Sequence, residues 1–304
     1  MAELSSSSSS AAPVPALAGL RLAVIGAGPV GLALALLAAR RLPQAHITVF
    51  DALPTGHDVS GDPRTLALSL GSVQALQQLG VWSEVAPHAA AIETVHVSQQ
   101  QPGLAALFGL ISRDVAREPE LLIHAAEQGV TQLGAVTGYG RIVAPLRAAW
   151  LAACTAEPQR LQACFGVKVS AVNPGPDHAE VDAGGACSRH DLVVIAEGGV
   201  FADQARKGLA HDYHQTAWVG TVDLAGGRPG WAYERFTPQG PVALLPLPPL
   251  PASPPGRQRA ALVWCVAQDD DPLPGLDERQ RCIVLQDILP DGVGEVVGLS
   301  ALKS

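Results

Sequence analysis

A glycine-rich segment near the start of the chain has the residue types and spacing of a phosphate-binding loop. Gly26, Gly28 and Gly31 follow an aliphatic run over 21–25. In such a loop the first glycine permits a tight turn, the second a close backbone approach to a pyrophosphate, and the third close helix packing. Asp51 lies twenty residues beyond Gly31 and suits the hydroxyl groups of a ribose. The pattern predicts dinucleotide binding, with FAD or NAD favoured over NADP because the carboxylate repels a 2′-phosphate. The alternative is a Gly-rich turn in an ordinary α/β protein.

The elements that must position this loop are a strand over 21–25, an Ala/Leu-rich helix after Gly31 and a second strand over 46–50. Residues 22–39 carry no charge, and their length also fits a membrane span. Because Pro29 and the three glycines interrupt the stretch, we favour strand, turn and helix over a spanning helix.

Composition limits the classes of function. The 304 residues suffice for about two domains. The net charge of −8 argues against a nucleic-acid partner, which needs a basic face. The five cysteines form no C-x-x-C pair and the histidines show no ligand spacing, so we predict no metal site and no disulfide scaffold. A reducing compartment, the cytoplasm, is the expected location. Residues 1–19 lack the pattern of a signal peptide and are predicted to form a disordered leader.

A second informative segment covers residues 62–82, D-P-R-T-L-A-L-S-L-G-S-V-Q-A-L-Q-Q-L-G-V-W. Arg64 precedes an apolar, strand-like run, and Ser69 or Ser72 is placed to cap a helix. From these residues alone, the alternative for Arg64 is a solvated loop cation.

This segment resembles the ubiquinone-biosynthesis hydroxylase family of FAD-dependent (class A) aromatic monooxygenases, which are related to p-hydroxybenzoate hydroxylase. The run D-L-V-V-I-A-E-G at 191–198 and the block E-R-F-T-P-Q-G-P-V-A-L-L-P-L at 234–247 resemble the same family in the same order. The resemblance extends from residue 21 to about 290.

The resemblance implies an α/β fold in which a Rossmann-like FAD-binding domain is interleaved with a mainly antiparallel β-sheet substrate domain. Strand-like runs at 216–224, 231–236, 240–246 and 260–266 follow one another without helices, which also favours an antiparallel sheet. The expected segments are 20–88 and 133–210 for the FAD domain, 89–132 and 211–274 for the substrate domain, and 275–304 for the start of a return to the FAD domain.

The implied activity is hydroxylation of a polyprenylated aromatic ring in ubiquinone biosynthesis. In that family NAD(P)H reduces the flavin, and O2 then forms the C4a-hydroperoxide that transfers oxygen to the ring. The implied partners are a polyprenylated phenol or quinone precursor and a quinone-biosynthesis complex. Contact with a membrane would be peripheral at most, at its inner face.

The resemblance adds cofactor-binding residues to the glycine loop and Asp51. Arg64 is implied near the pyrophosphate or flavin, and Glu197 and Gly198 stand where the family has A-D-G. Arg141 is a further candidate, although the family's arginine aligns at Gly140, so a surface cation at a helix start is the alternative.

The block from 234 onward is implied to face the substrate cavity, with Arg235 and Pro246 as candidate lining residues. The alternative for Arg235 is an ion pair with Glu234 or another carboxylate on a sheet surface. No side chain is assigned as an acid–base catalyst, since the family's chemistry resides in the flavin.

Three features depart from the family, and the first is Glu197, which stands in place of the aspartate of the family's A-D-G run. Residues 104–132 exceed the corresponding family stretch and are predicted to form a surface insertion, with a partner-binding loop as the alternative. No G-D-A-A-H motif precedes Ser304, so we expect a C-terminally truncated member with weakened FAD retention and impaired activity. Two other functions stay open: a non-catalytic nucleotide-binding fragment or partner subunit of a quinone-synthesis complex, and an NAD-dependent dehydrogenase.

Overall fold

The structure is a computed structural model that describes residues 19–62, 64–100, 118–196, 211–250 and 254–304. The chain divides into two compact units, each built from two separated segments. The first unit comprises Met1–Ser60 and Val143–Gly208, and the second comprises Gly61–Ile142 and Leu209–Ser304. The predicted leader, residues 1–19, lies almost entirely outside the described residues.

The described part of the chain contains five α-helices: α1 (Pro29–Arg41), α2 (Leu70–Gln78), α3 (Trp82–Val85), α4 (Tyr139–Ala156) and α5 (Glu278–Ile288). Its strands, in chain order, are β1 (Arg21–Ile25), β2 (His46–Asp51), β3 (Thr65–Ser69), β4 (Ala89–Ile92), β5 (Thr94–Gln99), β6 (Glu120–His124), β7 (Gly134–Gly138), β8 (Leu161–Phe165), β9 (Val169–Pro174), β10 (Ala179–Ala183), β11 (Ala186–His190), β12 (Leu192–Ile195), β13 (Gln215–Ala225), β14 (Trp231–Thr237), β15 (Gly240–Leu247), β16 (Arg257–Ala267) and β17 (Glu295–Lys303).

The first unit contains a four-stranded parallel sheet in the order β12-β1-β2-β8. Strand β1 is an aliphatic run that is buried from Leu22 onward, as expected for an inner strand of a parallel sheet. Helix α1 buries Leu32, Ala35 and Leu36. A three-stranded antiparallel sheet, β11-β10-β9, completes the unit, and its Val181 packs with Phe50 in a shared core.

The second unit is built on a seven-stranded sheet in the order β17-β13-β16-β15-β14-β5-β6. All its pairs are antiparallel except β14 with β5. One face forms the largest core of the unit, where Leu285 of α5 packs with Leu262 and Trp264. Part of the opposite face, around Ala232, packs against the small sheet β3-β7-β4 through Val136.

Several expectations from the sequence are confirmed. The uncharged stretch 22–39 forms strand, turn and helix, and no helix among the described residues is long and apolar enough to cross a membrane. Four long strands occupy the predicted runs between 215 and 267, and they pair as an antiparallel sheet. Ser69 caps α2 by accepting a hydrogen bond from the Ser72 N–H.

The grouping of segments differs from the expected domain boundaries. Strands β3 and β7 fall in the second unit, because they pair with each other and with β4 in one sheet. Residues 275–304, which we expected to return to the first domain, also lie there, because β17 pairs with β13 and α5 packs beside β17.

The described part of the segment 104–132 contains strand β6, and the predicted surface insertion stays a prediction. Strand β6 pairs in register with β5, with Val97 opposite Leu121, and therefore forms the outer strand of the seven-stranded sheet. Residues 101–117 lie outside the described residues.

Candidate functional site

The predicted phosphate-binding loop lies between β1 and α1 in the first unit. Gly26 has φ of +103°, a conformation that favours glycine, and its N–H donates to the Phe50 carbonyl at 2.8 Å. A Cβ atom at Gly31 would clash with the Gly26 carbonyl oxygen. The structure therefore gives the first and third glycines the mechanical roles that the motif predicted.

Asp51 lies beside this loop, at the end of β2. Its Oδ2 accepts a hydrogen bond from the Ala27 N–H at 2.6 Å, and its Oδ1 accepts one from the Leu53 N–H at 2.7 Å. Each carboxylate oxygen has two lone pairs, so acceptor capacity remains for a hydroxyl group. Sequence spacing alone placed this acid near the loop, and the structure shows that it also shapes the loop.

The N-terminus of α1 has the features of an anion site. Gly28 occupies the N-cap position without a side-chain cap, and Pro29 has no N–H to donate. The first turn of a helix leaves its N–H groups without intrahelical acceptors, here those of Val30 and Gly31. Val30 is 70% exposed, whereas Gly31 is buried. N–H donors without intrahelical acceptors at the positive end of a helix dipole attract a phosphate, and these residues fit the ADP portion of a dinucleotide.

Arg147 is a buried cation near this loop that the sequence analysis missed. It lies on α4, is 6% exposed, and donates from Nη2 to the Pro54 carbonyl at 2.5 Å. Its guanidinium carbon lies 4.7 Å from the centre of the Phe165 ring, and its Nε has no partner among the described residues. Arg147 thus holds the backbone just past Asp51. Its spacing from the buried Val143 and Trp150 placed it on the inner face of a helix, which was a usable signal.

Arg64, in the second unit, already has local partners. Its side chain makes an ion pair with Asp62 at 2.7 Å and stacks on the Tyr139 ring, 3.9 Å from the ring centre. The hydrogen bonds from Arg64 lower the pKa of the Asp62 carboxyl. Arg64 is largely exposed, and its contacts are those of a cation on a surface loop. Its proposed role near a cofactor stays a prediction.

Three other predicted cofactor residues receive less support. Arg141 is exposed in the first turn of α4. This position agrees with the alternative interpretation, a surface cation at a helix start. Glu197 and Gly198 lie outside the described residues. The clustered residues of the predicted set are therefore the loop glycines and Asp51. Among the described residues there is also no group of three His, Cys, Asp or Glu side chains suited to a metal ion.

Arg235 is buried in the second unit and has a carboxylate partner. It is 4% exposed, and its Nη1 lies 2.7 Å from Glu118 and donates to Ser98 at 3.2 Å. Its partner is not Glu234, because neighbouring residues of β14 point to opposite faces of the sheet.

Arg235 also lines a polar cavity of about 500 Å³, with His96, Trp231 and Asp291 among the other lining residues. His96 is nearly buried and pairs with Glu120 at 3.2 Å. Pro246 lies on β15 outside the lining of this cavity. Whether Arg235 or Pro246 contacts a substrate stays a prediction.

Comparison with known proteins identifies the fold. No family model matches the sequence. The p-nitrophenol 4-monooxygenase PnpA from Pseudomonas putida DLL-E4 superposes with a TM-score of 0.57 at 14% identity, over 94% of this chain and 67% of that one. The flavin-dependent halogenase CmlS gives a TM-score of 0.59 at 16% identity, over 94% and 49%. A variant of HpxO from Klebsiella pneumoniae in complex with FAD gives 0.54 at 14% identity, over 88% and 62%.

The chain therefore has the fold of p-hydroxybenzoate hydroxylase-like flavin monooxygenases. The predicted combination of a Rossmann-like domain with an interleaved, mainly antiparallel sheet domain is confirmed. At identities of 14–16%, these similarities establish the fold but not the reaction or the substrate. The chain spans 49–67% of the length of these three structures.

Proposed function

We propose that this chain binds FAD through its ADP portion and acts as part of a flavin-dependent monooxygenase. One observation carries the proposal: the uncapped N-terminus of α1, with its glycine loop held by Asp51, occurs in a fold that flavin-dependent enzymes share. When bound, FAD would supply the redox chemistry that activates O2 for oxygenation.

The residues of the first unit have separate tasks in this proposal. The N–H groups of Val30 and Gly31 stabilise the pyrophosphate charge, and Gly31 allows the helix to start close to the loop. Asp51 accepts hydrogen bonds from the ribose while it holds the Ala27 N–H. A 2′-phosphate would bring negative charge beside this carboxylate, so FAD fits better than an NADP-type ligand.

A more specific proposal concerns the reaction and its substrate. We propose hydroxylation of a polyprenylated aromatic ring in ubiquinone biosynthesis, with NAD(P)H as the reductant and with a quinone-biosynthesis complex as the partner. The sequence blocks at 62–82 and 234–247 support this assignment.

The test of the proposal uses flavin fluorescence. Purified protein is titrated with FAD and, separately, with riboflavin, which lacks the ADP portion, and bound FAD is then challenged with ADP. We expect saturable quenching of FAD fluorescence, displacement by ADP and much weaker binding of riboflavin. Equal binding of riboflavin and FAD, or failure of ADP to compete, would contradict the proposal.

A further inference from the structure

One face of the seven-stranded sheet carries a continuous row of apolar residues with a single carboxylate in it. The register places Val219 opposite Val263, Val263 opposite Ala243, and Ala243 opposite Glu234. From Glu234 the row continues through Val97 to Leu121. Six strands thus contribute one residue each, and Glu234 is the one ionisable member.

The outer parts of this row are exposed, and its centre, which contains Glu234, is half-buried. The neighbouring part of the same face, two residues earlier on β14, is covered, because Ala232 and Leu245 pack against Ile92 and Val136 of the small sheet. In the row itself, Val263 is 37% exposed and Leu121 is 57% exposed. The other face of the sheet, which carries Arg235, is filled by the core beneath α5 and by the polar cavity.

Glu234 has no hydrogen-bond or ion-pair partner in the part of the chain that the structure describes. Partial burial among apolar neighbours disfavours its charged form and raises the pKa of its carboxyl. A half-buried carboxylate without a cationic partner costs stability, and ionisable groups with shifted pKa values are found more often at functional sites than elsewhere. The apolar strands on either side suit a flat, uncharged ring with an alkyl or prenyl substituent.

We propose that Glu234 accepts a hydrogen bond from the hydroxyl group of a neutral phenolic substrate whose ring and apolar substituent lie along this row. The inference rests on the proposed function, since it names the substrate group that the monooxygenase holds. It also separates the two neighbours in the E-R-F-T-P block: Glu234 binds the substrate hydroxyl, whereas Arg235 pairs with Glu118 on the opposite face.

The experiment compares 4-hexylphenol with 4-hexylanisole, its methyl ether, which has no hydroxyl proton to donate. Binding of each is measured by calorimetry at neutral pH for the wild type, Glu234→Met and Glu127→Met. Glu127 is an exposed glutamate of the same unit without a partner among the described residues, so it controls for the loss of a carboxylate.

We expect the wild type and Glu127→Met to prefer the phenol by about tenfold, the usual effect of one hydrogen bond to a charged group. Glu234→Met should bind both ligands equally. The preference of the wild type should also fall as the pH approaches the raised pKa of Glu234 from above, because the protonated carboxyl is a weaker acceptor.

Absence of phenol binding, no preference in the wild type, or a preference that survives in Glu234→Met would each overturn the inference. The ADP affinity of the same samples, which reports the first unit, separates this failure from a failure of the proposed function. Normal ADP binding without phenol preference refutes the role of Glu234 alone, and loss of ADP binding in the wild type refutes the function itself.

Discussion

Two side chains hold the backbone around the proposed nucleotide site, Asp51 from the end of β2 and Arg147 from α4. Asp51 accepts hydrogen bonds from the N–H groups of Ala27 and Leu53, and Arg147 donates one to the Pro54 carbonyl. The carboxylate was predictable from its spacing after the glycines. The arginine was not predicted, because a cation on a helix is usually solvated, although its spacing from the apolar Val143 and Trp150 was a usable signal for the inner face of α4.

Replacing Arg147 by methionine should destabilise the first unit. The change keeps an apolar side chain against Phe165 but leaves the Pro54 carbonyl without its donor. We expect the free energy of unfolding to fall by about 1–3 kcal/mol, the cost of an unsatisfied buried polar group. Urea unfolding followed by circular dichroism measures it.

The matched control is Arg189→Met in the same unit. Arg189 is exposed and pairs with Glu180 on a sheet surface, where an ion pair contributes little. Its unfolding free energy should change by less than about 0.5 kcal/mol. Equal effects of the two substitutions would show that Arg147 has no special role.

Among the elements, helix α5 is defined most clearly by its ends. Asp277 caps it through a reciprocal pair of hydrogen bonds with Gln280, the capping-box arrangement. The helix extends over Glu278–Ile288. The unit in which α5 lies was not predictable. It depends on β17, beside which α5 packs, and β17 pairs with β13, which is distant in the chain.

Asp277→Ala should lower the free energy of unfolding by about 1 kcal/mol, as loss of an N-cap side chain usually does. Asp287→Ala, near the other end of α5, serves as the control. There the acid opposes the helix dipole, so its removal should leave stability unchanged or slightly higher. Thermal unfolding of both variants gives the comparison, and equal losses would contradict a specific capping role.

The pairing of β12 with β1 adds a pH dependence to the first unit. Asp191 accepts hydrogen bonds from the Arg21 backbone N–H at 2.7 Å and from the Arg21 side chain at 3.3 Å, which lowers the pKa of its carboxyl. A lowered folded-state pKa contributes stability that is present above the ordinary aspartate value of 3.8 and is lost as the pH falls through the lowered value.

Asp191→Asn removes this titration. The difference in melting temperature between wild type and variant should therefore be largest at neutral pH and shrink as the pH falls below 3.8. Differential scanning calorimetry across this range checks the prediction. A difference that stays constant with pH would show that the charge of Asp191 is not what matters.

For the molecule as a whole, the features that depend on local sequence patterns were predicted better than the features that depend on long-range strand pairing. The β1–loop–α1–β2 arrangement and the antiparallel strands follow from short-range periodicity, and both are observed. The assignment of β3, β7 and β17 to units depends on partners far away in the chain, which periodicity does not encode. The same holds for the site: the loop glycines and Asp51 were predictable, whereas the ion pair of Arg235 with Glu118 needed the fold.

The central claim, that the α1 loop and Asp51 bind the ADP portion of a flavin nucleotide, is tested most directly by calorimetric titration with ADP. We predict one saturable site in the wild type, an affinity about tenfold lower in Asp51→Asn, and unchanged affinity in Asp177→Asn, an exposed acid of the same unit. Folded protein that shows no saturable heat with ADP, or an Asp51→Asn variant that binds ADP as tightly as the wild type, would contradict the claim.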